Sequence, residues 1–285
     1  MSSLCLRSPA KLNLYLKVVN KREDGYHNLK TIFERINLFD DIELTLNQDG
    51  CIRILCDHPD VPLDSLNFVY KAAQLLKDDF ALQEGVDISI TKRIPVAAGL
   101  AGGSSNAATV LLGLNRLWKL DLNSRELLFY ARTIGSDVPF FLYDCSWALG
   151  LGRGDKIKKL MFSIRLWHIL VVPPLKMYSK DVFAALNLEL TKQNDDGNIL
   201  TRCLRNNDIS ALGNLLYNDL ESTIVKLSPA LHDLKKELLG MTARGVSFSG
   251  SGPAVFGLTQ TQQEAEDMKA ILQKHYKYVF AVRTF

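Results

Sequence analysis

Hydrophobic and polar residues alternate along several short segments of the first hundred residues, a pattern typical of β-strands with one buried face. The clearest segment is 8–18, where every second residue from position 12 to position 18 is apolar. Lys11 and Asn13 fall on the opposite face, which a half-buried strand exposes to solvent. Further strands are predicted at 31–38, 42–46, 52–55 and 86–92.

Other segments repeat apolar residues every three or four positions, which predicts amphipathic helices at 67–77, about 105–118 and 124–134. An uninterrupted apolar run at 166–172 ends at two prolines, so we expect a strand buried on both faces that starts a second domain. The C-terminal part adds strands at 246–248, 255–258 and 278–282, and a helix from a capping box at Thr261. Together these elements predict an α+β fold with domains at 1–160 and 161–285.

Composition excludes several classes of protein. The chain has 285 residues, of which 47% are hydrophobic and 23% are charged, the usage of a soluble globular protein. A net charge of +3 provides no global field for a nucleic-acid polymer, so any anion site is expected to be local. The five cysteines form no CxxC pair, the histidines have no metal-ligand spacing, and no apolar leader or membrane span is evident. We therefore expect a cytoplasmic protein.

A loop of small residues between the strand at 86–92 and the helix at 105–118 is the strongest chemical signal. Small side chains let backbone N–H groups turn inward, and a helix N-terminus adds partial positive charge, so the segment 95–105 is a candidate phosphate site. The alternative is a tight connection in which Ser104 or Ser105 caps the helix. Neither GxxxxGK[ST] nor GxGxxG occurs in the loop, so the glycines alone do not decide between these interpretations.

Two charged residues outside the loop are candidates for catalysis. Asp137 follows the helix at 124–134 and precedes a Val-Pro-Phe-Phe sequence, which suits a general base, a metal ligand or simply a turn-forming aspartate. Lys11 either lies on a solvated strand face or, beside an aspartate, keeps that carboxylate ionised and stabilises phosphoryl charge.

Taken together, the segments 8–14, 99–108 and 248–253 resemble the three motifs of the GHMP kinase superfamily, in order and at fitting distances. Within it, 24–29 and 135–141 resemble the members that phosphorylate the 2-hydroxyl of 4-diphosphocytidyl-2-C-methyl-D-erythritol in the non-mevalonate (MEP) isoprenoid pathway. The resemblance implies an ATP-dependent kinase that uses Mg²⁺. It also implies an N-terminal ribosomal-S5-domain-2-like domain and a C-terminal ferredoxin-like α/β domain, with the active site in the cleft between them.

The resemblance also implies roles for residues at matching positions. Asp137 matches the base that takes the proton from the substrate hydroxyl, and Lys11 matches the lysine that orients that base and stabilises charge. The implied ATP site comprises Asn67 and Lys92 near adenine and Pro95, Ala97, Ala98, Gly99, Leu100, Ala101, Gly102, Gly103, Ser104 and Ser105 around the phosphates. The implied acceptor site comprises Asn13, Tyr26, His27, Ser179, Phe183, Gly250, Ser251 and Gly252.

In this acceptor site, Tyr26 and Phe183 are expected to stack on cytosine while His27 bonds to its edge. The metal ligands stay open between Ser104, Ser105, Asp137 and water alone. The sequence departs from the family at Ala98 and Ala101, where glycine is frequent, and at Lys180, where proline is frequent.

Two other functions compete with this interpretation. One is another small-molecule GHMP kinase, of the homoserine or mevalonate type, for which the aromatic pair of Tyr26 and Phe183 has no evident use. The other is a non-catalytic GHMP-like protein that binds RNA or protein, which would not need Asp137 and Lys11. We therefore expect small-molecule substrates, no nucleic-acid polymer or membrane partner, and a monomer or weak homodimer.

Overall fold

The structure is a computed structural model that describes residues 2–188 and 196–285, and the chain forms two compact units. Unit 1 comprises the chain up to Ala10 together with Leu38–Val96 and Ala101–Asp144. Unit 2 comprises Lys11–Asn37, Ala97–Leu100 and Cys145–Phe285. Both units take up non-contiguous segments, and the contiguous domains 1–160 and 161–285 stay a prediction.

Strands and helices are mixed along the whole described chain, which confirms the predicted α+β composition. The strands are β1 (Ser3–Lys21), β2 (His27–Asn47), β3 (Ile52–Cys56), β4 (Gly85–Thr91), β5 (Trp147–Gly152), β6 (Lys156–Leu160), β7 (Trp167–Val172), β8 (Tyr217–Asn218), β9 (Gly245–Phe248), β10 (Val255–Thr259) and β11 (Tyr278–Arg283). The helices are α1 (Phe68–Asp79), α2 (Gly102–Leu117), α3 (Ser124–Ile134), α4 (Val138–Leu142), α5 (Ser179–Ala184), α6 (Gly197–Asn206), α7 (Ile209–Leu215), α8 (Glu221–Leu227), α9 (Ala230–Gly240) and α10 (Gln262–Leu272). Among the helices of the described ranges, none has the length and apolar character that a membrane crossing requires.

Unit 1 packs α1 and α2 together beside strands from the first part of the chain. Strand β4 pairs antiparallel with the second half of β2 and parallel with β3. Helix α2 approaches the strands closely at Gly113, where an added Cβ would lie 2.4 Å from Leu44 and 2.8 Å from Leu6. A larger residue there would require both leucine side chains to move, so Gly113 keeps α2 close to the strands. The candidate phosphate loop leads into the first turn of this helix.

Unit 2 contains a four-stranded antiparallel sheet in the order β11-β7-β10-β9. Strand β7 lies inside this sheet, and Ile169, Leu170 and Val171 are fully buried, as the apolar run predicts. The same unit pairs the first half of β2 with β5, β5 with β6, and β1 with β8 through Tyr15 and Tyr217.

Three expectations about these elements are wrong. The segments 31–38 and 42–46 form the single strand β2, because Asp40 is buried in it beside Lys92 instead of ending it. Helix α2 begins at Gly102 rather than near residue 105. Strand β1 is buried on both faces in its centre, where Lys11 and Asn13 are 3% and 2% exposed.

Candidate active site

The loop that precedes α2 has a left-handed backbone at alternating residues. Ala97, Gly99 and Ala101 have φ values of 54°, 76° and 56°. Such reversals turn backbone N–H groups inward, the arrangement found in anion-binding nests. Ala98 is not among the left-handed residues, whereas Ala101 is, so only Ala101 adopts a conformation that glycine would accept with less strain.

The first turn of α2 is open at its N-terminus. Ala101 is the residue before the helix, and no side chain caps the helix there, so the predicted alternative of a Ser104 or Ser105 cap is wrong. Ser105 is fully buried and its hydroxyl accepts a hydrogen bond from Ser8 Oγ at 2.8 Å. Ser104 is half-buried, and a Cβ added at Gly103 would meet no atom within 4 Å. Space for a ligand therefore lies beside Gly103 and not beside Ser105.

Lys92 lies next to this helix end, but its ammonium is paired. Its side chain is 5% exposed and forms an ion pair with the fully buried carboxylate of Asp40. The other carboxylate oxygen of Asp40 accepts hydrogen bonds from the backbone N–H groups of Arg93 and Ile94 at 2.8 and 2.9 Å. A Cβ added at Gly102 would lie 3.2 Å from Lys92 Nζ. Lys92 therefore stabilises the segment before the loop, and its role near adenine stays a prediction.

Asn67 also has a structural role. Its side-chain oxygen caps α1 by accepting from the Val69 N–H at 2.9 Å, and its amide donates to the carbonyl of Pro62 at 2.7 Å. Its predicted contact with adenine stays a prediction.

Asp137 is the residue immediately before α4, and it is half-buried. Its carboxylate makes no capping hydrogen bond to that helix, so helix capping does not explain it. The following residues Val138, Pro139 and Phe140 are buried, so Asp137 lies where the chain enters the apolar interior. A half-buried carboxylate of this kind suits a base.

Lys11 belongs to a buried polar chain in unit 2. Its ammonium donates to Asn13 Oδ1 at 2.5 Å, the Asn13 amide donates to Thr31 Oγ1 at 2.7 Å, and that hydroxyl donates to the carbonyl of Tyr15 at 2.7 Å. The interpretation of Lys11 as part of a solvated strand face is therefore wrong. A buried ammonium held in one position is suited to stabilising developing negative charge.

The third motif approaches the same polar chain. Gly250 has φ 54°, and a Cβ added there would lie 3.3 Å from both Asn13 Oδ1 and Lys11 Nζ. The neighbouring Ser249 donates from Oγ to the carbonyl of Gly99 at 2.9 Å. The turn is therefore bonded to the candidate phosphate loop and lies beside Lys11.

Aromatic and cationic side chains cluster elsewhere in unit 2. The rings of His27 and Phe183 stack with centroids 5.2 Å apart and an interplanar angle of 24°. Desolvation lowers the pKa of His27 below its usual value, and the charge of Lys21 contributes in the same direction. Tyr26 is exposed, and the guanidinium carbon of Arg153 lies 5.1 Å from its ring centroid.

Family models match both parts of the chain. Residues 67–145 match the GHMP kinases N terminal domain, and residues 200–277 match the GHMP kinases C terminal domain. A 4-diphosphocytidyl-2-C-methyl-D-erythritol kinase of Shouchella clausii is 42% identical over 278 residues, which cover 98% of this chain and 93% of the relative. The enzyme of the same name from Exiguobacterium sibiricum is 40% identical over 99% of this chain and 98% of its own. The chain belongs to the 4-diphosphocytidyl-2-C-methyl-D-erythritol kinase family of GHMP kinases.

Solved structures agree with membership of this family. A crystal structure of 4-(cytidine 5'-diphospho)-2C-methyl-D-erythritol kinase has a TM-score of 0.85 and 31% identity, and the match covers 99% of this chain and all of that one. A homoserine kinase from Cytophaga hutchinsonii has a TM-score of 0.75 at 20% identity over 100% of this chain and 95% of its own, which shows the shared fold alone. The predicted GHMP kinase fold is thus confirmed, and with it an ATP-dependent kinase that acts on a small molecule.

The predicted site residues of this 4-diphosphocytidyl-2-C-methyl-D-erythritol kinase family member divide between the two units. Unit 1 holds Asn67, Lys92, Pro95, Ala101, Gly102, Gly103, Ser104, Ser105 and Asp137. Unit 2 holds Lys11, Asn13, Tyr26, His27, Ala97, Ala98, Gly99, Leu100, Ser179, Phe183, Gly250, Ser251 and Gly252. Within unit 2, Ser179 and Ser251 are joined by a hydrogen bond of 2.9 Å between their hydroxyls.

Sequence reasoning missed two residues at these sites. Thr31 holds Asn13, and Arg153 covers Tyr26. Neither lies in a recognisable motif, so no local signal identified them. In the ranges that the structure covers, no three His, Cys, Asp or Glu side chains group to hold a metal ion by themselves. A magnesium ion that arrives with a nucleotide needs few protein ligands and prefers oxygen donors, and the half-buried Ser104 hydroxyl is a donor of this kind.

Proposed function

We propose that this chain transfers the γ-phosphoryl group of ATP to the 2-hydroxyl of 4-diphosphocytidyl-2-C-methyl-D-erythritol in the MEP pathway of isoprenoid synthesis. The proposal rests chiefly on the 42% identity to the Shouchella clausii kinase of that name across nearly the whole of both chains. It is supported by the buried chain from Lys11 to Thr31 and by the aromatic side chains around His27. A homoserine kinase and a mevalonate kinase share the fold, but at 20% and 16% identity this likeness supports neither activity for this chain.

In the proposed reaction, Asp137 accepts the proton of the 2-hydroxyl while the hydroxyl oxygen attacks the γ-phosphorus. A new O–P bond forms, the bond from the γ-phosphorus to the bridging oxygen breaks, and ADP leaves with that oxygen. Lys11 stabilises the charge that develops on the transferring group, and its hydrogen bond to Asn13 keeps the ammonium in place.

On the nucleotide side, the left-handed loop residues and the uncapped N-terminus of α2 bind the phosphates. Positioning of this kind is the main contribution of a protein to phosphoryl transfer. Bound Mg²⁺ would neutralise phosphate oxygens, and the hydroxyl of Ser104 is the group proposed to hold it, while the Asp137 carboxylate acts as the base. Ser105 is a poorer candidate because its hydroxyl is buried against Ser8.

On the acceptor side, Tyr26 and Phe183 flank the cytosine, and a neutral His27 accepts a hydrogen bond from its amino group. The lowered pKa of His27 supports this role, because a neutral imidazole keeps one nitrogen lone pair as an acceptor. Ser251 and Ser179, joined by a hydrogen bond, are proposed to border the same ligand. The cytoplasmic location and the monomer or weak homodimer stay predictions.

A coupled assay of ADP release with three acceptors tests the function. We expect turnover with the cytidyl compound at a kcat/KM at least 100-fold above that for homoserine or mevalonate. Equal or greater turnover with either small acid would overturn the acceptor assignment. No turnover with any of the three would point to the non-catalytic alternative.

A further inference from the structure

Asn218 is a buried residue that uses its whole side-chain amide to hold backbone groups. It lies in β8, is 3% exposed, and belongs to none of the motifs in the sequence. Its Nδ2 donates to the carbonyls of Phe248 and Gly250 at 3.0 and 2.8 Å, while its Oδ1 accepts from the N–H of Leu220 at 2.9 Å. Both amide hydrogens and the oxygen therefore form hydrogen bonds, and both acceptor carbonyls belong to the third motif.

The backbone that Asn218 holds is the turn next to Lys11. A Cβ at Gly250 would lie 3.3 Å from Lys11 Nζ and 3.3 Å from Asn13 Oδ1, so the Gly250 backbone is packed against the polar pair. Any shift of this turn by a few tenths of an ångström changes the space available to the ammonium.

The same turn also holds the phosphate loop. Ser249 Oγ donates to the carbonyl of Gly99 at 2.9 Å, and the Ala254 N–H donates to the carbonyl of Ala98 at 3.2 Å. One side chain in β8 therefore fixes a turn that borders both Lys11 and the residues proposed to bind the triphosphate.

We propose that Asn218 is a positioning residue of the kinase, which acts through the third-motif turn on both Lys11 and the phosphate loop. It does not need to touch either substrate. This inference rests on the proposed function for its effect on phosphoryl transfer, but its effect on nucleotide binding can be measured without an acceptor. The competing interpretation is that Asn218 merely stabilises the fold of unit 2.

The adjacent residue Asp219 provides a matched control. It is 5% exposed, and its carboxylate accepts from the Val18 N–H at 2.6 Å and from the hydroxyl of Tyr217. The bond from Val18 anchors the same chain segment to β1, and neither bond reaches the third motif. An Asp219→Asn variant leaves one side-chain oxygen for these two donors, so it weakens the anchoring without changing the bonds to the third motif.

The experiment compares Asn218→Asp with Asp219→Asn in the full-length enzyme. The Asn218→Asp side chain has the size of the original but places one carboxylate oxygen against the two carbonyl oxygens, whereas the other oxygen keeps the bond from the Leu220 N–H. We expect kcat per folded molecule to fall at least tenfold and the affinity for a Mg²⁺-bound non-hydrolysable ATP analogue, measured by calorimetry, to fall about fivefold. In Asp219→Asn, we expect kcat and nucleotide affinity to stay within twofold of the parent, even if its melting temperature falls as much as that of Asn218→Asp.

Asn218→Ser is a second variant, because it removes both donated bonds without adding charge and should show the same two losses if the aspartate variant does not fold. Unchanged kcat and nucleotide affinity in a folded Asn218 variant would overturn the proposal. Equal losses in Asp219→Asn would overturn it as well, since anchoring of the segment would then suffice. If the parent turns over no acceptor, the proposed function fails, while nucleotide affinity still decides whether Asn218 positions the loop.

Discussion

Ser249 Oγ donates a hydrogen bond of 2.9 Å to the carbonyl of Gly99, so the third motif and the phosphate loop are anchored to each other although 150 residues separate them. Gly99 allows this contact because it has no side chain. A Cβ at that position would lie 2.0 Å from the carbonyl oxygen of Ser249, and the backbone of Gly99 is left-handed at φ 76°.

Gly99→Ala is therefore expected to damage the loop severely. The clash and the left-handed strain together should cost about 2–4 kcal/mol of stability. A large fall in melting temperature and a loss of more than 100-fold in kcat/KM for ATP are the expected measurements. Gly103→Ala is the matched control for stability, because its Cβ meets nothing within 4 Å and lies in a helix. A Gly99→Ala protein with the parent's melting temperature would contradict the proposed anchoring.

Ala101→Gly is expected to stabilise the protein. Ala101 has φ 56°, and an L-residue with a side chain pays about 1–2 kcal/mol in this region, part of which glycine recovers after its own entropy cost. We expect a net gain of about 0.5–1 kcal/mol by thermal unfolding. Ala98→Gly is the matched control, since Ala98 is buried without a left-handed φ and should lose stability. A loss of stability in both variants would show that the backbone of Ala101 is not strained.

Asp137→Asn is expected to abolish turnover, because the amide cannot accept the proton of the attacking hydroxyl. We expect kcat to fall at least 1,000-fold while the affinity for the nucleotide stays within a few-fold. The exposed Asp144, seven residues on, is the control, and Asp144→Asn should leave kcat unchanged. Substantial turnover by Asp137→Asn would mean that Asp137 has only a structural role.

The lowered pKa of His27 predicts how acceptor binding depends on pH. Its pKa lies below the usual 6.5, so the imidazole is neutral at pH 7 and becomes protonated only in more acidic solution. Protonation removes the lone pair, so KM for the cytidyl acceptor should rise as the pH falls below about 6.5, whereas KM for ATP should not. Because the folded state disfavours the charged form, the contribution of His27 to stability also decreases in the same direction. A His27→Gln variant should lose this dependence of KM on pH, and the same profile of KM against pH in the parent and in the variant would contradict the role of His27.

The local sequence pattern predicts an element correctly where all of its residues suit the same degree of burial. The apolar run at 166–172 became β7, and the helical period at 124–134 became α3 with the same bounds. The sequence pattern predicted two strands at 31–38 and 42–46, whereas the strand continues through the buried Asp40 between them. Its neutralisation by Lys92, 52 residues away, cannot be read from the neighbouring positions.

The candidate site shows the same limit. Alternation assigned Lys11 and Asn13 to a polar face, but their burial depends on Thr31 and on Gly250, which only the folded chain brings near them. The resemblance of motifs identified which residues to consider, whereas the partners that hold them, such as Arg153 and Asn218, lie in segments without a motif. Long-range contacts of this kind are set by the tertiary structure and not by local periodicity.

Phosphorylation of the 2-hydroxyl of 4-diphosphocytidyl-2-C-methyl-D-erythritol by this chain is the claim that ³¹P NMR of the complete reaction tests. With the parent enzyme, ATP and Mg²⁺, we expect a new phosphomonoester resonance coupled to the 2-position of the methylerythritol unit, an unchanged diphosphate of the acceptor, and ADP in equal amount. The reaction with Asp137→Asn should show none of these products. ADP formed without the phosphomonoester, or a phosphoryl group attached at another position, would contradict the claim.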